Sequence, residues 1–127
     1  MKVILNSIFV EDQDRASSFY TKKLGFIKKQ DVPVGKFKWL TVASPEDPDG
    51  AEVSLEPNGN PVAKTYQKGI YEQGIPATSF GVENIQAEFE KLKGLDVRFT
   101  MEPTKMDKVT VAVFDDTCGN VIQIIQE

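Results

Sequence analysis

The 127 residues contain no histidine. Imidazole is the usual nitrogen ligand of zinc, nickel, iron and copper, and the ordinary base behind a serine or cysteine nucleophile, so both kinds of centre lose their commonest component. Cysteine is nearly absent too: Cys118 has no disulfide partner in the chain, and Asp115 and Asp116 beside it disfavour a thiolate. A reducing compartment fits that usage. No apolar stretch nears the roughly 20 residues of a membrane span, and the N-terminal region lacks a basic start, an apolar run and a small-residue cleavage site. The expectation is a cytoplasmic protein with no membrane partner. Positive charge is in deficit, with 15 Lys and Arg against 19 Asp and Glu, a net charge of −4. That balance argues against general attraction to nucleic acid. The cluster Lys22, Lys23, Lys28 and Lys29 reads as a solvated helix end and strand edge, and no Gly-rich phosphate loop is present.

What remains is ordinary globular material, 40% hydrophobic and 27% charged, enough to close a core. Residues 2–10 alternate as a strand, with Leu5, Ser7 and Phe9 on one face and Ile4, Asn6, Ile8 and Val10 on the other. Asp12 is placed to cap a helix whose buried stripe is Ala16, Phe19, Tyr20 and Leu24, and Gly25 supplies a left-handed stop. Strands are expected at 26–32, after which Pro33-Val34-Gly35 reads as a turn, at 37–43, and at 52–56 beyond an acidic loop. A short helix through Lys64, Tyr66 and Tyr71 occupies a linker at about 58–75. The order then repeats: a strand at 76–82, a helix capped by Asn84 and carrying Ile85, Phe89 and Leu92, and strands at 97–100, 109–114 and 121–126. Unit one is expected over about 1–57 and unit two over about 76–127, within a single domain spanning 1–127.

Two βαβββ units in one chain resemble the vicinal oxygen chelate superfamily, the group of glyoxalases, bleomycin-resistance proteins and dioxygenases. The residues that carry the resemblance are Val10-x-Asp12, Phe19-Tyr20, Leu24-Gly25-Phe26 and Asp116-x-x-Gly119-Asn120, each weak alone and strong in this order and spacing. The resemblance implies an α+β fold in which the units form a curved eight-stranded sheet with a concave cleft and the helices outside. It also implies a homodimer. On that fold Ile8, Val10, Val53, Leu55, Phe80, Val82, Ile122 and Ile124 would face helices, and Leu5, Ser7, Phe9, Ser54, Ser79, Val121 and Gln123 the cleft.

Metal-using members hold a divalent ion through the first and last strands of each unit, and those positions here fall on Leu5, Ser54, Ala77 and Gln123. Where the family uses His, Glu or Gln, this chain offers two alkyl groups, a hydroxyl and one amide. No metal and no other cofactor is therefore expected, and no catalytic residue is assigned. A carboxylate site built from Glu52 and Glu56 is the residual alternative, against the plainer reading that both face solvent at a strand rim. The cleft candidates for a small organic ligand, an aromatic one first, are Ser7, Phe9, Trp39, Ser54, Ser79, Arg98, Met101 and Gln123, with Phe37, Phe99 and Met106 as further walls. Trp39 is the only tryptophan, and a tryptophan in mid-strand is more often core than platform. Three readings follow: a metal-independent binding or sequestering protein, a lyase or dioxygenase-like enzyme with an unusual metal site, and a structural or interaction protein with a filled cleft.

Overall fold

The structure, a computed structural model, describes residues Met1–Glu127. In chain order the elements are β1 (Leu5–Val10), α1 (Gln13–Ser18), β2 (Ile27–Val34), β3 (Phe37–Ala43), β4 (Glu52–Pro57), α2 (Pro61–Glu72), β5 (Thr78–Gly81), α3 (Ile85–Gly94), β6 (Phe99–Met106), β7 (Val109–Asp115) and β8 (Val121–Gln126). The eight strands divide into two open four-stranded sheets, ordered β1-β4-β3-β2 and β5-β8-β7-β6. This is the α+β arrangement of two βαβββ units that the repeated order predicts. In each sheet the first and last strands of the unit run parallel, and every other pairing is antiparallel. The chain separates into two compact units, Met1–Tyr66 and Gln67–Glu127.

In the first unit, Asp12 caps α1 by accepting from the Arg15 N–H at 3.0 Å. The helix then widens into a π-helical turn over Phe19–Lys23, where the Leu24 N–H reaches the Phe19 carbonyl at 3.2 Å. Gly25 leaves it at φ +82°, a left-handed conformation that a Cβ would strain. The helix buries Ala16, Phe19 and Tyr20, and it packs over β3 and β4, whose Leu40, Val42 and Leu55 are buried with Ile8 and Val10 of β1. Each large side chain so covered contributes about 1.5–3 kcal/mol relative to exposure.

The second unit repeats this with different residues. Asn84 caps α3 through the Ala87 N–H at 3.0 Å, and Ile85, Phe89 and Leu92 bury the helix against β6, β7 and β8. Phe99 stands edge-on between Phe89 and Phe114, at centroid distances of 4.8 and 5.6 Å. It belongs to the helix-side core, which corrects its assignment as a cleft wall.

Three boundary differences have a clear cause. The first strand begins at Leu5 rather than residue 2, because its parallel partner β4 begins only at Glu52. Strand β2 runs through Pro33, which an edge strand tolerates because the missing N–H need not face a neighbour. Strand β6 likewise continues past Pro103 to Met106 as the edge of its sheet, with register shifts on both sides of Met101. Its hairpin to β7 turns at Asp107, φ +57°.

Candidate functional site

Strand alternation and the pairing register fix which side chains share the sheet face away from α1. Leu5, Ser7 and Phe9 of β1 stand beside Glu52, Ser54 and Glu56 of β4, and Thr41 of β3 is paired with Ser54. Further along β3, Trp39 pairs with Val32 and Phe37 with Val34 of β2. Five apolar groups on this face are open: Trp39 is 38% exposed, Phe37 43%, Val32 48%, Val34 61% and Leu5 40%. Trp39 is therefore a part-open ring on this face and not a core ring.

Beneath that apolar rim lies a chain of hydroxyls. The Ser7 and Ser54 hydroxyls lie 2.9 Å apart, and Ser54 Oγ donates to Glu56 Oε1 at 3.0 Å. Because Ser54 has one proton and gives it to a carboxylate, Ser7 must be the donor in the first contact. Thr41 Oγ1 donates to Glu52 Oε1 at 2.5 Å. Thr41 and Ser54 are almost wholly buried, while Glu52 and Glu56 are half-buried. Neither glutamate has a lysine or arginine within ion-pair distance. They are thus structured acceptors rather than loose rim charges. On the opposite face, Lys38 pairs with Asp14 of α1 and with Asp31 at 3.9 Å, and Lys28 with Asp31 at 3.0 Å. Its hydrogen bond to Asp14 raises the Lys38 pKa, and the bond from Lys28 lowers that of Asp31.

In the second unit the corresponding face carries Ser79 opposite Gln123, and Gln123 Nε2 donates to Ser79 Oγ at 2.9 Å. Gln123 is also paired with Val113, itself opposite Met101, so these four share one side. Met101 is half-buried there, whereas Met106 is exposed at the hairpin end. Arg98 precedes β6 and is 73% exposed, its Nη2 lying 3.4 Å from Asp115 Oδ2. That same oxygen accepts a 2.5 Å hydrogen bond from the Tyr71 hydroxyl, which raises the tyrosine's pKa. The next acid, Asp116, is fully buried and accepts from the Cys118 and Asn120 backbone N–H groups at 2.7 and 3.0 Å. It shapes the turn into β8.

The four positions at which metal would be held do not suit a cation. Leu5 and Ala77 carry no ligating atom, and Ser54 Oγ is committed to Ser7 and Glu56; Gln123 gives its Nε2 to Ser79, so its amide oxygen alone is left for a cation. No three His, Cys, Asp or Glu side chains gather anywhere as a ligand set.

A sequence model of the glyoxalase/bleomycin resistance protein/dioxygenase superfamily matches residues 3–124. The chain belongs to that superfamily. As a superfamily member it is 63% identical to the uncharacterized protein YurT of Bacillus subtilis (strain 168) over the full length of both chains. Among solved structures, UcmS2 superposes with TM-score 0.86 at 33% identity, covering 100% of this chain and 98% of that one. TnmS3, an antibiotic binding protein from Streptomyces sp. CB03234, superposes with TM-score 0.79 at 25% identity, covering 99% and 95%.

Sequence reasoning selected Ser7, Ser54, Phe9 and Trp39, which this superfamily member brings onto one face of its first unit, and Ser79, Gln123 and Met101 on one face of its second. Arg98 sits apart, at the start of an edge strand. Thr41 and the engaged roles of Glu52 and Glu56 were missed. Thr41 was findable, since it lies two residues from Trp39 and so on the same side of β3.

Proposed function

We propose that this superfamily member is a metal-independent binding protein that holds a small organic ligand, an aromatic one first, and does no chemistry on it. The observation that carries the reading is the open face of the first sheet, where Trp39 and Phe37 are exposed beside a ladder of ordered polar groups. An apolar aromatic wall with a few fixed polar anchors is what a small-molecule site needs. Two alkyl side chains among the four metal positions support independence from metal, and the likeness to an antibiotic binding protein supports sequestration as the role. A cytoplasmic homodimer, its two units joined by a linker at about 58–75 into one domain, completes the proposal. Ser7, Phe9, Trp39, Ser54, Ser79, Arg98, Met101 and Gln123 remain the proposed contact set.

The test is titration of chelator-treated protein with planar antibiotics and aromatic metabolites, read by Trp39 fluorescence, with sedimentation giving the oligomeric state. Saturable quenching by at least one ligand without added metal is expected. Turnover of a glutathione hemithioacetal or a catechol on adding nickel, zinc or iron would refute it and favour the enzyme reading.

A further inference from the structure

We infer that the open face of the first unit selects aromatic molecules whose polar edge donates hydrogen bonds, as a phenol, amine or ammonium does, and rejects those whose edge is an oxyanion. The inference rests on the binding role proposed above and specifies its ligand class.

It follows from where the hydroxyl protons go. Three hydroxyls lie on this face, those of Ser7, Thr41 and Ser54, and each has a single proton to give. Thr41 spends its proton on Glu52, Ser54 on Glu56, and Ser7 on Ser54. No side-chain donor in the ladder is left over. What the ladder offers outward is the free lone pairs of Ser7 Oγ, which is exposed, and the remaining carboxylate oxygens of Glu52 and Glu56, which are half-buried and unpaired with any cation. The ladder is acceptor-only, so it satisfies a donor and repels a carboxylate or sulfonate with two carboxylates that no cation neutralises; the donors elsewhere on this face, the Trp39 indole N–H and the amide of Gln30 opposite Thr41, are neutral. Lys36, whose Nζ stands 5.7 Å from the Phe37 ring centroid, precedes β3 and so lies at the outer end of that strand.

The experiment uses one ring system with four edges: 2-naphthylmethylamine as its ammonium, 2-naphthol, 2-methoxynaphthalene and 2-naphthoate. Each is titrated at neutral pH into the full ¹⁵N-labelled chain, and binding is read from the indole N–H signal of Trp39, the only tryptophan. The expected order is ammonium, then naphthol, then methoxynaphthalene, then naphthoate, with about tenfold or more between first and last, the scale of one charge-assisted hydrogen bond. In Glu56→Gln and Glu52→Gln the gap between ammonium and naphthoate should shrink several-fold. Equal affinities for all four, or a preference for naphthoate, overturn the inference while leaving the binding role intact. If none of the four moves the indole signal, the binding role itself fails and the inference with it. The comparison within the parent chain decides the matter even where a variant does not fold.

Discussion

The side chain of Gln13 substitutes for a missing stretch of β-ladder, and replacing it should cost more than any other single change on α1. Strands β3 and β4 are paired only from Thr41 to Ala43 against Ser54 to Glu52. Beyond Thr41 they separate, and the Gln13 carboxamide enters the gap. Its Nε2 donates to the Lys38 and Leu55 carbonyls at 2.8 and 2.9 Å, and its Oε1 accepts from the Lys38 N–H at 3.0 Å. Gln13→Met keeps length and approximate volume but strands all three backbone groups. The Leu55 bond is buried, so its loss costs about 1–3 kcal/mol, and the two half-buried bonds to Lys38 add about 0.5–1.5 kcal/mol each. A loss of about 2–6 kcal/mol is a large fraction of the roughly 5–15 kcal/mol that holds a domain together. Equilibrium urea unfolding followed by circular dichroism should show the midpoint falling by about 1–3 M. Gln13→Glu should be worse than Gln13→Met at neutral pH, since an ionised carboxylate would face two carbonyls, and should recover partly in acid as it regains a donor. A Gln13→Met midpoint indistinguishable from the parent would refute the account of this residue as a surrogate for backbone pairing.

Two further outcomes follow from single contacts. Tyr71→Phe removes the hydrogen bond to Asp115 that lifts the tyrosine's pKa above its ordinary 10.0. A raised folded pKa gives stability that is complete below pH 10 and lost as pH rises through the folded value, so the parent should lose more stability than the variant on the alkaline limb of a thermal-melt series. Parallel alkaline limbs would show the contact to be unimportant. Asp116→Ala orphans the buried Cys118 and Asn120 N–H groups and should cost about 2–4 kcal/mol in urea unfolding. Asp116→Asn should recover part of that, because its carbonyl still accepts but its amide meets the Asn120 amide, now 2.8 Å from Asp116 Oδ2.

Most of the fold was legible because local signals were redundant. Asp12 and Asn84 cap, Ala16, Phe19 and Tyr20 recur at helical spacing, and Gly25 stops, so independent cues agree on each helix. The errors cluster on two strands that carry a proline: Pro33 reads as a turn and the strand before Pro103 reads as ending at residue 100, because sequence cannot say that β2 and β6 are edges. Alternation also placed Ser7, Ser54, Ser79 and Gln123 on their faces. It did not reveal how Thr41, Glu52 and Glu56 are joined, since a hydrogen bond across strands depends on register, which appears only once the pairs Ser7 with Ser54 and Thr41 with Ser54 are known. Tyr71 and Asp115, 44 positions apart, left no local trace at all.

Register also explains what has become of the positions that hold metal elsewhere in the superfamily. In the first unit the last-strand position, Ser54, bonds to Ser7, two residues on from Leu5; in the second, Gln123 bonds to Ser79, two residues on from Ala77. Both contacts bridge a parallel strand pair at directly opposed residues. In each unit, then, the first-strand position has become alkyl, and the last-strand polar group has turned along the seam to the next side chain on the same face. A hydroxyl or amide engaged in this way is held in one orientation without any ion. For the ligand proposed above, that would lower the entropy lost on binding, and it fixes which of the group's lone pairs or protons remain to be met.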